Sequence, residues 1–146
     1  MLVNILERKD SMNTKEAKKL IENKLPEKRF KHSLRVADTA VKLAEIYDGD
    51  KSKAELAGIL HDYCKYDDLG KMYQVVRQHD LDSNLLSYGS EILHGPVCAA
   101  LMKADYGIED EEILLAIKYH SVCDYFYPCL RNCEPETLKW VNGSKS

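Results

Sequence analysis

The chain has 146 residues, of which 45% are hydrophobic and 31% charged, and its formal net charge is −3. This length and composition are typical of one globular domain, and the weak negative charge creates no global field that would attract nucleic acid or an anionic membrane surface. No uninterrupted apolar run approaches the ~20 residues needed to cross a bilayer, so we expect neither a nucleic-acid nor a membrane partner.

Cysteine usage indicates a reducing compartment. The five cysteines are an odd number, and the N-terminal stretch lacks the basic leader and small-residue cleavage site of a secretion signal. We therefore expect free thiols and a cytoplasmic location. Met12 opens a more typical-looking start, so residues 1–11 are predicted to be an extension with little structural role.

Two helices are predicted in the first third of the chain. Asn13 followed by Glu16 resembles a capping box and predicts a short helix that ends near Lys24. Pro26 suits the first turn of a long helix that runs to about Tyr47. The apolar residues of the long helix form a wide face that we expect to be deeply buried: Leu34, Val36, Ala37, Ala40, Val41, Leu43, Ala44 and Tyr47.

Two shorter helices are predicted next. Ser52 with Glu55 marks a helix start, and its inner face is supplied by Leu56, Ala57, Leu60 and Cys64. Polar loops flank a second short helix over about residues 71–78. Both patterns have the helical period.

The last two predicted helices are separated by a glycine. Pro96 predicts the first turn of one helix, which ends at Gly107. The other is expected from about Asp110 to His120, with acidic residues in its first turn, as the helix dipole favours. After it the period is lost, so an irregular tail is predicted over 121–146. The pattern as a whole predicts one all-α domain.

Four of the five histidines fall in short motifs on or beside these helices. The motifs are HSLRVA (His32), HDYCK (His61 and Asp62), LHGPV (His94) and KYHS (His120). Neutral imidazole and carboxylate bind iron, manganese and zinc, so a set gathered from several helices predicts metal-assisted hydrolysis. His79 lies outside the pattern and is predicted to be solvated.

Each histidine taken alone has a simpler interpretation. His32 lies at the border of its helix's apolar face, where a half-buried surface histidine is common. His94 is expected just before a helix N-terminus, where the dipole favours a neutral ring. Because consecutive helical residues point about 100° apart, His61 and Asp62 are expected to share a site only near a helix end or around a bridged metal pair. Convergence of all four helices is the stronger hypothesis.

The sequence resembles the HD superfamily of metal-dependent phosphohydrolases, and within it the bacterial YqeK family, over about residues 14–120. The matching segments are HSLRVADTAVKLAEIY, KAELAGILHDYCK, LHGPVCAALMKADYGIEDEEIL and AIKYH. The resemblance implies an HD-domain helical bundle over residues 1–120. It also implies symmetrical hydrolysis of diadenosine tetraphosphate to two ADP by a bound divalent metal pair, with iron expected and manganese or zinc as alternatives.

The resemblance also implies a set of site residues. It carries the metal ligands over onto His32, His61, Asp62, His94 and His120, with Asp62 bridging both metals. Arg35 and Lys65 recur in the family motifs, and the resemblance implies that both contact the nucleotide's phosphates. Lys65 is also expected to stabilise charge on the leaving group. A solvated helix face for Arg35 and a helix C-terminal cap for Lys65 are the alternatives.

The tail departs from the family pattern. Either Asp124 is the family's final ligand aspartate after a deletion, or the tail is unrelated sequence and that ligand is absent. His120 also forms, with Cys123, Cys129 and Cys133, the residue types of a tetrahedral zinc site. Their spacing matches no zinc motif, so free cysteines in a loosely ordered tail are the favoured interpretation.

Two other functions stay open at this point. One is a mononuclear HD nucleotidase that acts on nucleoside monophosphates and uses His32, His61, Asp62 and a distal Asp as ligands. The other is a non-catalytic nucleotide-binding HD module, which the divergent tail makes plausible. The oligomeric state is open as well, with a homodimer as one option.

Overall fold

Six α-helices and one short 3-10 segment form the described part of the molecule. The computed structural model describes residues 12–126, with side chains described for residues 12–120. The elements in chain order are α1 (Thr14–Lys24), α2 (Glu27–Ile46), α3 (Lys51–Leu60), α4 (Leu69–Gln78), the 3-10 segment (Ser83–Ser87), α5 (Ser90–Tyr106) and α6 (Glu111–Phe126). Residues 12–126 contain no strand, so the predicted all-α class is confirmed.

α3 lies at the centre of the bundle. It packs against α1, α2 and α6, while α5 packs on α6 and α4 on α5. The largest fully buried side chains come from every helix except α2: Ile21, Ile59, Leu60, Met72, Val76, Leu93, Val97, Met102 and Ile117, with Ile108 from the α5–α6 loop. None of the helices between residues 12 and 126 is both long and apolar enough to span a membrane.

The first helix begins as predicted. The Asn13 side chain accepts a hydrogen bond from the Glu16 backbone N–H at 2.8 Å, and the Glu16 carboxylate accepts one from the Asn13 N–H at 3.1 Å. This capping box satisfies two backbone donors that the first helical turn leaves unpaired. The helix ends at Lys24, before Pro26.

The prediction that α2 buries a wide apolar face was wrong. Only Ser33 and Ala37 of this helix are buried, and the rest of the predicted face is half-buried, except Tyr47 beyond its end, which is 40% exposed. The physical reason is position, because α2 lies at the edge of the bundle and packs mainly on α3. The helix ends at Ile46, one residue before the predicted Tyr47, and the Gly49 N–H donates to the Ala44 carbonyl at 2.7 Å.

α3 begins one residue before the predicted Ser52. Asp50 is the N-cap, and its carboxylate accepts from the Lys53 backbone N–H at 3.0 Å. The predicted inner face is confirmed, because Leu56, Ala57, Leu60 and Cys64 are all buried.

The predicted start of α5 at Pro96 was wrong, and so was the placement of His94 before a helix N-terminus. α5 begins at Ser90 and runs through both residues to its end before Gly107, whose φ of 70° is a left-handed helix cap. Residues 92–99 are all buried. Burial on this scale outweighs the local cost of an interior proline, about 3 kcal/mol.

α6 is longer than predicted. Asp110 accepts from the Glu112 backbone N–H at 2.9 Å just before the helix starts, and the helix continues to Phe126 instead of ending at His120. Residues 121–126, predicted as the start of an irregular tail, are therefore helical. Residues 127–146 lie outside the described residues, so the predicted boundary at residue 120 between domain and tail stays a prediction.

Candidate metal centre

The five residues predicted as metal ligands on α2, α3, α5 and α6 converge on one carboxylate. His32 comes from α2, His94 from α5 and His120 from α6. His61 is the C-cap of α3, and Asp62 follows it in the turn. His61 and Asp62 thus lie together where α3 ends, in one group of candidate ligand atoms.

The two oxygens of Asp62 face different histidine pairs. Oδ2 lies 3.3 Å from His61 Nε2 and 3.9 Å from His32 Nε2. Oδ1 lies 3.4 Å from both His94 Nε2 and His120 Nε2. The arrangement forms two three-residue groups that share Asp62, and within each group the candidate ligand atoms lie within 4.8 Å of one another.

Backbone carbonyls fix the orientation of three of the rings. The Nδ1 atoms of His61, His94 and His120 lie 2.6, 2.8 and 2.6 Å from the carbonyl oxygens of Gly58, Ser90 and Ile117. Because a carbonyl oxygen only accepts, each Nδ1 carries the hydrogen and each Nε2 presents a lone pair to Asp62. Ligating histidines are oriented in the same way.

The donors fit a cation. His94 Nε2 and His120 Nε2 lie 3.0 Å apart, with both lone pairs and a carboxylate oxygen facing the same point. Lone pairs and carboxylates repel each other unless a positive charge lies between them. The donor set is nitrogen and oxygen, which suits iron, manganese and zinc.

Burial favours the neutral, metal-binding form of two of the histidines. Burial lowers the pKa of His32 to about 4, and the neighbouring His61 and Arg29 charges act in the same direction. Burial also lowers the pKa of His120, although the nearby Asp62 carboxylate opposes the shift. Burial alone would raise the pKa of Asp62, but the neighbouring His61, followed by His120 and His94, holds it well below its usual range.

Sequence reasoning missed Arg29. Its Nη1 lies 3.3 Å from Asp62 Oδ2, as an ion pair with a carboxylate that is almost fully buried. Arg29 precedes His32 by three residues, so the two side chains are neighbours on the surface of α2. The three-residue spacing between Arg29 and His32 was the sequence signal that could have identified Arg29 as a site residue.

The predicted phosphate contacts and the remaining candidates are less buried than Asp62 or have side chains outside the described residues. Arg35 is exposed, Lys65 is half-buried, and His79 is exposed as predicted. Asp124 lies in the last turns of α6, but its side chain lies outside the described residues, as do those of Cys123, Cys129 and Cys133. The geometry therefore does not test whether Asp124 is a metal ligand, or whether the tail cysteines form a zinc site with His120.

Three comparisons with known proteins agree with this site. The HD domain model matches residues 29–122. A symmetrical bis(5'-nucleosyl)-tetraphosphatase of Staphylococcus aureus is 74% identical over 110 residues, covering 75% of this chain and 57% of that relative. The protein of the same name from Bacillus subtilis is 39% identical, covering 75% and 59%. A crystal structure of a predicted HD superfamily hydrolase involved in NAD metabolism, from Clostridium acetobutylicum, matches with a TM-score of 0.69 and 38% identity, over 75% of this chain and 59% of that one.

The chain thus spans a little under three fifths of the length of these relatives. The domain match, however, extends over well more than half of the chain and includes the His61–Asp62 doublet and all three other clustered histidines. The chain belongs to the HD-domain family.

Proposed function

We propose that this protein is a metal-dependent phosphohydrolase of dinucleoside polyphosphates, with diadenosine tetraphosphate cleaved symmetrically to two ADP. One observation carries the proposal: a buried carboxylate with one oxygen toward each of two histidine pairs. The substrate class rests on the relatives named as symmetrical bis(5'-nucleosyl)-tetraphosphatases.

The cofactor we propose is a pair of divalent metal ions. His32, His61 and Asp62 would hold one ion, and Asp62, His94 and His120 the other. Such a pair supplies an activated water as nucleophile and neutralises charge on phosphate oxygens. Iron is the expected metal, with manganese or zinc as alternatives, since all three accept this donor set.

The side chains of the site prepare this chemistry before any substrate arrives. The carbonyl bonds at Nδ1 fix the imidazole rings, so little reorganisation is needed when a ligand binds. Asp62 stays ionised because the neighbouring histidines hold its pKa low.

Cationic side chains around the centre suit a polyphosphate. Arg29 reaches the carboxylate directly, and we propose that Arg35 and Lys65 bind the more distant phosphates. Guanidinium and ammonium groups pair strongly with phosphate oxygens and stabilise charge that develops on a leaving group. Lys65 follows Asp62 by three residues, and its backbone N–H donates to the Asp62 carbonyl at 2.9 Å. This bond ties the Lys65 backbone to the turn that carries Asp62.

The proposal is tested with purified protein, its metal content and diadenosine tetraphosphate. We expect close to two metal ions per chain and release of ADP, measured by chromatography. Asp62→Asn is expected to lower turnover by at least about 100-fold while the helical circular dichroism is retained. The matched control is Asp38→Asn, on the exposed side of α2, which should keep full activity. Undiminished turnover by Asp62→Asn would refute the proposed site.

The same experiment separates the alternatives. One metal ion per chain with turnover of nucleoside monophosphates would indicate the mononuclear nucleotidase. Nucleotide binding without ADP release, in the presence of added iron or manganese, would indicate the non-catalytic module.

We further propose a cytoplasmic location, because the buried thiols of Cys64 and Cys98 are free and a reducing compartment keeps them so. A homodimer stays a prediction. Light scattering on the purified protein measures the oligomeric state directly.

A further inference from the structure

The two halves of the metal centre are alike in ligand type and in burial. We define half-site A as His32, His61 and Asp62 Oδ2, and half-site B as His94, His120 and Asp62 Oδ1. Each half brings two imidazole nitrogens and one carboxylate oxygen together. In each half, one histidine side chain is 14% exposed and the other is more deeply buried. Neither ligand type nor burial therefore predicts which half binds a cation more tightly.

The two halves differ in charge. Oδ2 of Asp62, which belongs to half-site A, also pairs with Arg29 Nη1 at 3.3 Å. A guanidinium does not lose its proton in a protein, so this positive charge is permanent. Within the part of the chain that the structure describes, Oδ1 has histidine neighbours only and no lysine or arginine. Half-site A therefore has a cation of the protein's own against its carboxylate oxygen, whereas half-site B does not.

The two halves also differ in geometry. In half-site B, both Nε2 atoms lie 3.4 Å from Oδ1 and 3.0 Å from each other. In half-site A, Oδ2 lies 3.3 Å from His61 Nε2 but 3.9 Å from His32 Nε2. Carbonyl acceptors at Nδ1 orient the other three rings, and among the described residues His32 has no such acceptor. Half-site B is therefore the more compact and the better preorganised of the two.

Arg29 stabilises the buried carboxylate and at the same time opposes a cation at half-site A. The Asp62 side chain is 3% exposed, and a carboxylate buried to this degree is costly without a paired charge. A divalent ion on the same oxygen would add two positive charges next to the guanidinium, and like charges repel strongly inside a protein. The Arg29 side chain is 27% exposed, so it can turn toward solvent, but it then loses its ion pair.

We propose that Arg29 is a built-in counter-cation for Asp62 and makes the two half-sites bind metal unequally. Half-site B binds first and more tightly. Half-site A binds a second ion more weakly, because Arg29 must first leave Oδ2. The proposal rests on the metal pair of the proposed function and adds the order of binding and the residue that sets it. Arg29 is a positioning residue here, since it acts through Asp62.

Calorimetric titration of the metal-free protein with Mn²⁺ tests the order of binding. We expect two steps whose dissociation constants differ by at least about tenfold. His94→Gln should remove the tighter step and His32→Gln the weaker one. Each of these variants is the control for the other, because each removes one imidazole. Circular dichroism checks that both remain helical.

Arg29→Met tests the cause of the inequality, because it removes the guanidinium and keeps an unbranched side chain. We expect the weaker step to strengthen by about tenfold or more, while the tighter step changes by less than about threefold. Arg29→Lys keeps a positive charge and should keep the two steps unequal. The control is Lys31→Met, which removes a cation from the same helix at a side chain that is 62% exposed and paired with Glu27. Lys31→Met should leave both steps unchanged.

Thermal unfolding separates this role from that of a merely structural ion pair. Arg29→Met leaves Asp62 without its permanent counter-charge, so the Tm of the metal-free protein should fall. Excess Mn²⁺ supplies positive charge to the same carboxylate, so the difference in Tm between Arg29→Met and the unchanged protein should narrow. An ion pair that only holds α2 to the turn after α3 would lower Tm equally with and without Mn²⁺. It would strengthen neither binding step.

Three results would overturn the proposal: two equal steps, loss of the tighter step in His32→Gln, or a weaker step that Arg29→Met leaves unchanged. Each of them would leave the metal pair of the proposed function standing. A protein that binds no Mn²⁺ would refute that metal pair, and the role of Arg29 with it. One Mn²⁺ in the unchanged protein and two in Arg29→Met would support unequal half-sites, whereas one in both would count against them.

Discussion

At Gly58, α3 lies close against the backbone of α2, and its replacement by alanine tests how the two helices hold the site together. A methyl group on Gly58 would lie 2.6 Å from Cα and 2.9 Å from N of Ala37. Ordinary van der Waals contact starts near 3.4 Å, so the overlap is about 0.8 Å. The contacted atoms belong to the α2 backbone, so no side-chain rotation relieves it and the helices must move apart.

Two effects of opposite sign decide the stability of Gly58→Ala. Alanine is favoured over glycine inside a helix by about 1 kcal/mol. Overpacking of a tight contact costs roughly 1–3 kcal/mol, and here the upper end applies because backbone must move. We expect a net loss of about 2 kcal/mol, which corresponds to a fall in Tm of roughly 4–8 °C for a chain of this size.

The same movement should affect the two halves of the metal centre unequally. α2 carries His32, whose Nε2 already lies 3.9 Å from Asp62 Oδ2. The carbonyl of Gly58 is also the acceptor for His61 Nδ1. The pair formed by His94 and His120 depends on neither contact, so Gly58→Ala is expected to lower the metal content toward one ion per chain.

Urea and thermal unfolding followed by circular dichroism measure the loss of stability. Gly49→Ala is the control, since the nearest atom to its added methyl lies 3.6 Å away, and its unfolding free energy should change by less than about 0.5 kcal/mol. The double variant Gly58→Ala/Ala37→Gly should be no more stable than Gly58→Ala alone, because the atoms nearest to the added methyl are backbone atoms of residue 37. Undiminished stability of Gly58→Ala, or full recovery in the double variant, would refute this reasoning.

Three further predictions concern stability and are checked by urea unfolding of metal-free protein. The free energy of unfolding should fall by up to about 3 kcal/mol as the pH drops from 6.5 to about 4, because over this range His32 is protonated in the unfolded chain but stays neutral in the folded one. The variant His32→Gln should show a weaker dependence of stability on pH. An unchanged dependence in this variant would contradict the prediction. Asp48→Gly should stabilise the protein by about 1 kcal/mol, because residue 48 has a φ of 58°, which glycine adopts without strain; a loss of stability would contradict the cap geometry. Ser33→Ala should be neutral or stabilising by up to about 1–2 kcal/mol, because the Ser33 hydroxyl is buried and has no hydrogen-bond partner among the described side chains and backbone; a clear loss would indicate that Oγ has a partner.

The convergence of the histidines was predicted from four motifs on or beside separate helices, although His94 lies inside α5 and not before it. Asp62 was placed with them by the resemblance to the HD superfamily, while helix geometry required that His61 and Asp62 lie near a helix end or around a bridged metal pair; α3 does end there. Arg29 was missed because its pairing with Asp62 spans 33 residues and becomes visible only when α2 and α3 are packed together. Local spacing gives the face of a helix, whereas the partner of that face depends on the tertiary arrangement.

The two clear errors in the fold have the same origin. Pro96 is a good helix-start signal locally, but burial of the surrounding turns extends α5 back to Ser90. The apolar face of α2 has a strong period, yet periodicity does not reveal how many neighbours a helix has. In residues 12–126 the partners of α2 cover only part of that face.

The clustered histidines His61, His94 and His120 each form a hydrogen bond from Nδ1 to a backbone carbonyl three or four residues earlier in the chain. His94 and His120 each take their acceptor from the helix on which they stand, and His61 takes its acceptor from the helix it caps. Ring direction is therefore a local property of each helix, and loops between helices can change in length without turning an imidazole away. The converse also holds: unwinding a single turn at Ile117 would release the His120 ring, so the integrity of that turn and the capacity to hold a cation are linked.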